Sequence, residues 1–351
     1  MSRFLSARLQ ALAPYVPGEQ PKVKLIKLNT NESPFPPAPG VKEAVAEAAD
    51  SLQLYNDLSA AKLTKLLSET YGVKENQIAV SNGSDEMLAF AFQAFGGRGL
   101  TFPDITYGFY PVWANLYGLD AKSLPLTEDF SIDISDYRSN DRCIVIANPN
   151  APTGIALRRE EVEQILQANP YNVVVIDEAY VDFGAESCVP LIREYDNLLV
   201  IQTFSKSRSL AGGRLGYGAG NPELIRDLNT MKYSTNPYTI NRMTMAAGIA
   251  CLEHDEYNAE NSRKIQEVRD WTRAELTKLG FEVTPSRANF LFARHPDISG
   301  EELYRQLKSR GILIRHFSGE RIRDYNRITI GTREEMGVLL QQTEAILASV
   351  C

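Results

Sequence analysis

A lysine, Lys206, stands between two serines in the stretch T-F-S-K-S-R-S-L-A-G-G-R-L-G-Y, residues 203–217. The apolar run L-L-V-I at residues 198–201 precedes it, of the kind that forms a strand buried on both faces. A lysine just beyond the carboxyl end of such a strand sits where open α/β sheets bind ligands. Its amine can form a Schiff base there if its charge is suppressed or its partner is a carbonyl cofactor. The stretch also suits a solvated lysine in a Ser/Gly-rich surface loop.

Three other apolar runs break off in the same manner. C-I-V-I-A at residues 143–147 leads into N-P-N-A-P-T-G, which opens with Asn148. V-V-V-I at residues 173–176 leads into Asp177, Glu178, Ala179 and Tyr180. I-A-V at residues 78–80 leads into S-N-G-S-D and then a helix. Small residues ahead of a helix N-terminus make a phosphate cradle; a plain N-cap at Ser84 or Asp85 is the simpler use of the same pattern. The aromatic stretch Y-G-F-Y-P-V-W at residues 107–113 reads as core, although Tyr107, beside a glycine, can lie flat on a planar ligand.

These groups match the needs of a planar cofactor with a pyridine nitrogen, a phenolic oxygen, an aldehyde and a phosphate. Lys206 serves the aldehyde. Asp177 keeps the ring nitrogen protonated, so that the ring acts as an electron sink. Tyr180 and Asn148 serve the ring oxygen, and Gly83, Ser84, Asp85, Ser205 and Arg214 surround the phosphate. That is the protein's share of pyridoxal phosphate chemistry. Asp177 at a strand end also suits a magnesium ion, but no G-x-x-x-x-G-K-[ST] loop accompanies it.

The elements that must position these groups alternate. Helical patterns near residues 41–51, 60–71, 86–95 and 159–168 separate the apolar runs, which indicates βαβ units and a mostly parallel sheet. Prolines at 14, 17, 21, 34, 36, 37 and 39 make the first 40 residues an arm, with a short edge strand near 24–28. Beyond residue 220 come helices near 222–232, 239–252, 255–279, 300–310 and 333–349. Short strands near 281–283, 290–293, 312–315 and 327–330 lie among the later ones. The expected fold is therefore α/β: a large domain with a mostly parallel sheet flanked by helices, plus a smaller α+β domain. The division expected is an arm at 1–40 that also forms part of the small domain, a large domain at 41–245 and a small domain at 246–351.

The totals fit this reading. A chain of 351 residues suggests about two domains. A net charge of −7 argues against nucleic acid as the main partner, and no apolar run approaches the roughly 18 residues that span a membrane. No apolar segment with a cleavage site opens the chain, so secretion is not expected. Cys143, Cys188, Cys251 and Cys351 lack C-x-x-C spacing, which fits a reduced cytoplasm and gives no metal signature. The three histidines also lack ligand spacing, so no metal site is expected.

The order N-P-N-x-P-T-G, then D-E-A-Y, then S-K-x-x-x-L-A-G-x-R-x-G-Y resembles the fold-type I aminotransferases. L-N-x-N-E at residues 28–32, N-G-S-D-E at 82–86 and R-I-T-I-G-T-R-E-E at 327–335 narrow the likeness to the histidinol-phosphate aminotransferase family. The resemblance implies that Lys206 carries pyridoxal 5'-phosphate as a Schiff base and then shuttles a proton. It implies that Asp177 pairs with the ring nitrogen, that Tyr180 and Asn148 hold the ring oxygen, and that Tyr107 stacks on the ring. Ser84, Asp85, Thr203, Ser205 and Arg214 would surround the phosphate. Tyr55 would reach the cofactor phosphate of a neighbouring subunit, making a homodimer. Arg327 would bind the anionic end of each substrate, histidinol phosphate or glutamate, with Tyr15 and Asn31 beside it. The reaction implied is amino transfer between L-histidinol phosphate and 2-oxoglutarate in a cytoplasmic enzyme of histidine biosynthesis.

The chain departs from the usual pattern in places. It reads L-Y-N-D around Tyr55, has Gly213 where a larger apolar residue is usual, and has Arg208 where a small residue follows the lysine. An aromatic amino acid aminotransferase or a threonine-phosphate decarboxylase would use the same cofactor residues with a different anion grip. A non-catalytic cofactor sensor would need a DNA-binding segment, and the first 40 residues are too rich in proline for a helix-turn-helix. A binding protein with a structural lysine and no cofactor is the remaining class.

Overall fold

The computed structural model describes residues 2–10 and 12–350; Met1, Ala11 and Cys351 lie outside the described residues. Along the chain run β1 (Ile26–Lys27), α1 (Val41–Ala49), α2 (Ala61–Tyr71), β2 (Ile78–Ser81), α3 (Gly83–Phe95), β3 (Leu100–Pro103), α4 (Tyr110–Tyr117) and β4 (Ala121–Leu124). Next come β5 (Cys143–Ala147), α5 (Arg159–Ala168), β6 (Val174–Asp177), β7 (Leu198–Thr203), β8 (Gly216–Gly220), α6 (Pro222–Thr235), α7 (Arg242–Glu253) and α8 (Asp255–Lys278). The chain ends with β9 (Glu282–Val283), β10 (Phe290–Arg294), α9 (Gly300–Ser309), β11 (Ile312–Leu313), β12 (Arg315–His316), β13 (Asn326–Thr329) and α10 (Arg333–Val350).

Seven strands form one sheet in the order β2-β8-β7-β6-β5-β3-β4. All pairs are parallel except those of β8, which runs antiparallel to both neighbours. Both faces are covered, and the central strands β5, β6 and β7 are buried and mainly apolar for that reason. Ile144, Ile146, Val174, Ile176, Leu198 and Val200 face one cluster with α1, α2, α5 and α7. Val145, Val175, Leu199 and Ile201 face the other with α3, α4 and α6. Helix α7 buries Ala247, Ala250 and Cys251 in the first cluster, so the expected division at 245/246 falls inside an element of the large sheet's layer.

A second, antiparallel sheet has the order β12-β13-β10-β9. Its core takes Ile265 and Leu276 from α8, Leu303 and Leu307 from α9, and Met336 and Leu339 from α10. The arm joins this part of the molecule: β1 pairs in parallel with β11, Ile26 opposite Ile312. The expected α/β architecture is present, with a large sheet between helices and a small antiparallel sheet.

Four elements did not stand out in the sequence. β8 is G-Y-G-A-G and is fully buried; its glycines hid it. Its neighbours force them: a Cβ on Gly216 would lie 2.3 Å from the Ser84 backbone nitrogen. Helix α4 carries Pro111 in its first turn, a start signal inside the aromatic stretch. β3 and β4 are four residues each, and β4 is an edge strand with exposed positions.

Candidate active site

The register brings the chemically unusual strand ends to one edge. Ser81 and Thr203 both lie opposite Gly216, and Asp177 lies between Ala147 and Ile201. Beyond that edge lies a cavity of about 790 Å³. Its walls come from the large sheet (Asp177, Tyr180, Lys206, Arg214), the small sheet (Arg315, Arg327) and the arm (Tyr15, Asn31, Glu32).

Lys206 opens on this cavity, which answers the surface-loop alternative. Its Nζ donates to the Thr30 carbonyl oxygen at 3.2 Å and stands 5.8 Å from the Tyr180 ring centroid. Burial, then the Arg327 guanidinium, pushes its pKa down to about 8. A free amine is therefore much more abundant here than on an ordinary lysine, at about 10.4.

The pair Asp177–Glu178 is split by strand alternation. Asp177 shares a face with Val175, toward α3 and α4, and its Oδ2 accepts from the Tyr110 hydroxyl at 2.8 Å. Glu178 points to the opposite face and accepts from Ser187 and Gln202, at 2.7 Å each. Burial pushes Asp177 up to about 6. Among the described residues it has no ion-pair partner. A buried carboxyl without a cation fits a protonated ring nitrogen as its missing partner.

The phosphate cradle is built by close approach. Helix α3 starts at Gly83, and its N-cap Asn82 makes no side-chain cap, so N–H groups at its start are open to a ligand. The Asp85 carboxylate is occupied: Arg214 Nη2 lies 3.2 Å from it and the Tyr107 hydroxyl donates to it at 2.9 Å. Arg214 Nη1 also reaches Ser205 Oγ at 3.4 Å, and the Thr203 hydroxyl donates to Ser205 Oγ at 3.0 Å. Ser84, Asp85, Tyr107, Thr203 and Ser205 all line the cavity. Gly83 stands behind them, where a Cβ would press on the Arg214 guanidinium at 2.6 Å.

Arg327 is the second residue of β13. It lines the cavity, donates to the Asn29 carbonyl oxygen at 2.9 Å and lies 5.4 Å from the Phe290 ring centroid. Its Nε is buried without a hydrogen-bond partner among the described residues, and no carboxylate pairs with it there. A surface salt bridge is therefore not its role; an incoming anion would complete it. Tyr15 from the arm stacks on Phe109 with ring centroids 4.2 Å apart and also lines the cavity.

One expectation needs correction. Asn148 does not line the cavity. It is buried, its Oδ1 accepts from the Leu157 N–H at 2.7 Å, and its Nδ2 donates to the Leu157 carbonyl at 3.2 Å. Asn150 is likewise committed, to the Ile105 carbonyl and Thr153, while Ala151 presents a methyl group to the cavity. Tyr55, expected at a neighbouring subunit's site, is outside this chain's own cavity: it is 79% exposed and stacks on Tyr238 at 4.2 Å, and no partner chain is present to test the expectation.

Other residues escaped the sequence reading. Tyr110 reads as core from the aromatic stretch, and only its hydroxyl marks it as the partner of Asp177. Arg315 and Arg321 sit in a stretch of scattered charges. Arg321 lines the cavity, pairing with Asp104 at 3.0 Å and donating to the Leu126 and Thr127 carbonyls at 2.9 and 2.8 Å.

A part-buried lysine and a buried carboxyl facing one crevice at the edge of such a sheet give the ligand site of an open α/β fold. Residues 23–342 match the model of the aminotransferase class I and II family, and the chain belongs to that family. It is 49% identical over 352 residues to the histidinol-phosphate aminotransferase of Brachyspira hyodysenteriae, covering 99% of each chain. Within the class it falls among the histidinol-phosphate aminotransferases. The fold agrees: the histidinol-phosphate aminotransferase of Sinorhizobium meliloti, solved in complex with pyridoxal-5'-phosphate, aligns with TM-score 0.90 at 24% identity over 100% of this chain and 99% of that one. L-threonine-O-3-phosphate decarboxylase from Porphyromonas gingivalis also aligns, with TM-score 0.80 and 25% identity over 92% and 100% of the two chains. The scaffold alone thus does not choose the substrate; the full-length sequence identity does.

Proposed function

We propose that this chain transfers an amino group between L-histidinol phosphate and 2-oxoglutarate in histidine biosynthesis, with pyridoxal 5'-phosphate held on Lys206. The opening of Lys206 and Asp177 onto one cavity carries the cofactor part of this reading, and the 49% identity over the full chain carries the substrate. Bound there, the cofactor supplies an electron sink for the substrate's α-carbon. Lys206 supplies an amine whose charge burial has already weakened, able to take a proton from that carbon and return it. Asp177, fixed by Tyr110, holds the proton on the ring nitrogen. The start of α3 with Ser205 and Arg214 holds the phosphate, Tyr180 donates to the ring oxygen, and Tyr107 backs the ring. Arg327, lacking a counter-ion among the described residues, takes the anionic end of either substrate, with Tyr15 over it.

A homodimer in the cytoplasm is part of this reading. Leu52, Leu54, Leu58 and Tyr238 are exposed around Tyr55, a patch suited to a second copy that Tyr55 would reach into. No helix among the described residues is long and apolar enough to cross a membrane.

The test is direct. The purified protein is expected to be yellow, and borohydride to fix the cofactor on Lys206. Lys206→Ala is expected to fold, by circular dichroism, and to lose transamination; wild-type turnover in that variant would reject the mechanism. A panel of amino donors against 2-oxoglutarate checks the substrate, and a preference for aromatic amino acids over histidinol phosphate would reject that part alone.

A further inference from the structure

Asn31, in the arm, meets Tyr180, just past β6: the Asn31 Nδ2 donates to the Tyr180 oxygen at 2.9 Å. A third residue decides the direction of this bond. The Thr329 hydroxyl accepts the Asn31 backbone N–H at 3.0 Å and donates to the Asn31 Oδ1 at 2.9 Å. A hydroxyl has one proton to give. If the carboxamide were turned over, Thr329 would accept twice, and among the described residues its proton would have no acceptor. Both residues are almost fully buried, Asn31 at 1% and Thr329 at 2% exposure, where an undonated proton is costly. Asn289 steadies the turn by donating to the Asn31 carbonyl at 3.0 Å.

The carboxamide therefore shows its N–H to Tyr180. With its oxygen accepting, the Tyr180 proton must leave in another direction. No acceptor for it exists among the described residues, and the Tyr180 side chain borders the cavity. No amide competes for the task, because Asn148 and Asn150 are committed elsewhere and Ala151 carries no donor.

We propose that Thr329 and Asn31 are positioning residues that aim the Tyr180 O–H into the cavity, onto the phenolic oxygen of the bound cofactor. This rests on the reading that Lys206 holds pyridoxal phosphate. Asn31 then works through Tyr180 rather than on substrate. Thr329 and Arg327 sit two apart on β13, so the strand that grips the substrate's anion also orients the donor on the ring.

The test reads the pKa of the lysine–cofactor chromophore by visible absorbance, independently of turnover. A donor on the ring oxygen loosens that oxygen's hold on the imine proton, so losing the donor raises the midpoint. Asp177, Asp85, Glu32, Arg214 and Arg327 also set the field around Lys206, and all stay in place in every variant. Tyr180→Phe sets the scale, with a rise of about one pH unit or more. Asn31→Ala and Thr329→Val are each expected to raise the midpoint by about a third of a unit or more, through loss of hydrogen-bond polarisation. Asn31→Asp, whose carboxylate would claim the Tyr180 proton, is expected to approach Tyr180→Phe. Thr329→Ser, which keeps the hydroxyl, is expected to titrate like the parent. Parent-like midpoints in both Asn31→Ala and Thr329→Val, with Tyr180→Phe shifted, would overturn the relay while leaving the cofactor reading intact. A parent chain that takes up no colour overturns both.

Discussion

At the scale of single residues, the site works by taking charges out of water and leaving each short of one partner. Lys206 is the measurable case. Burial holds its amine near 8, and only the neutral amine attacks an aldehyde. Capture of pyridoxal phosphate by cofactor-free protein is therefore expected to speed up as pH rises and to level off above about 8. An ordinary lysine would still be accelerating at about 10. Stopped-flow absorbance between pH 6 and 10 checks this, since flat kinetics across the range would mean the amine is not titrating there. The sign for stability follows from the same shift. A lysine with a lowered folded pKa costs the folded chain most below about 8, and the cost fades as pH rises toward the ordinary lysine value.

At the scale of elements, β8 and α3 decide how near the cofactor phosphate can come to the backbone. Gly216 has no room for a side chain, because its Cβ would meet Ser84 N at 2.3 Å and the Gly83 carbonyl carbon at 2.5 Å. Gly216→Ala must push the start of α3 away from the sheet. It is expected to cost about 1–3 kcal/mol of stability and to weaken pyridoxal phosphate more than unphosphorylated pyridoxal. Thermal melts and equilibrium dialysis with both ligands check it, and equal losses for both would show that the phosphate end is unaffected. These elements also show what can be read without coordinates. β2, β5, β6 and β7 are legible because an apolar run ending in polar residues has few other uses. β8 is not, because what makes Gly216 necessary is the start of the helix lying against it, and that contact is invisible in a string. Asn148 shows the same gap at finer grain. Its place after β5 follows from the run C-I-V-I-A, but the direction of its amide depends on the Leu157 backbone folding back to meet it.

At the scale of the whole molecule, the cavity draws walls from the large sheet, the small sheet and the arm, and Tyr55 stands exposed outside it. If a second copy completes each site, two damaged chains can repair each other. Lys206→Ala and Tyr55→Ala, each expected to be largely inactive, should regain activity when mixed under conditions that exchange subunits. No recovery in a mixture shown to contain mixed dimers would place Tyr55 outside the partner's site. Arg321 carries a separate consequence. Its bridge to Asp104, Leu126 and Thr127 forms part of the cavity wall and is partly open to solvent. Dissolved ions weaken such contacts. Rising ionic strength is thus expected to slacken this one stretch of wall while every reacting group keeps its place.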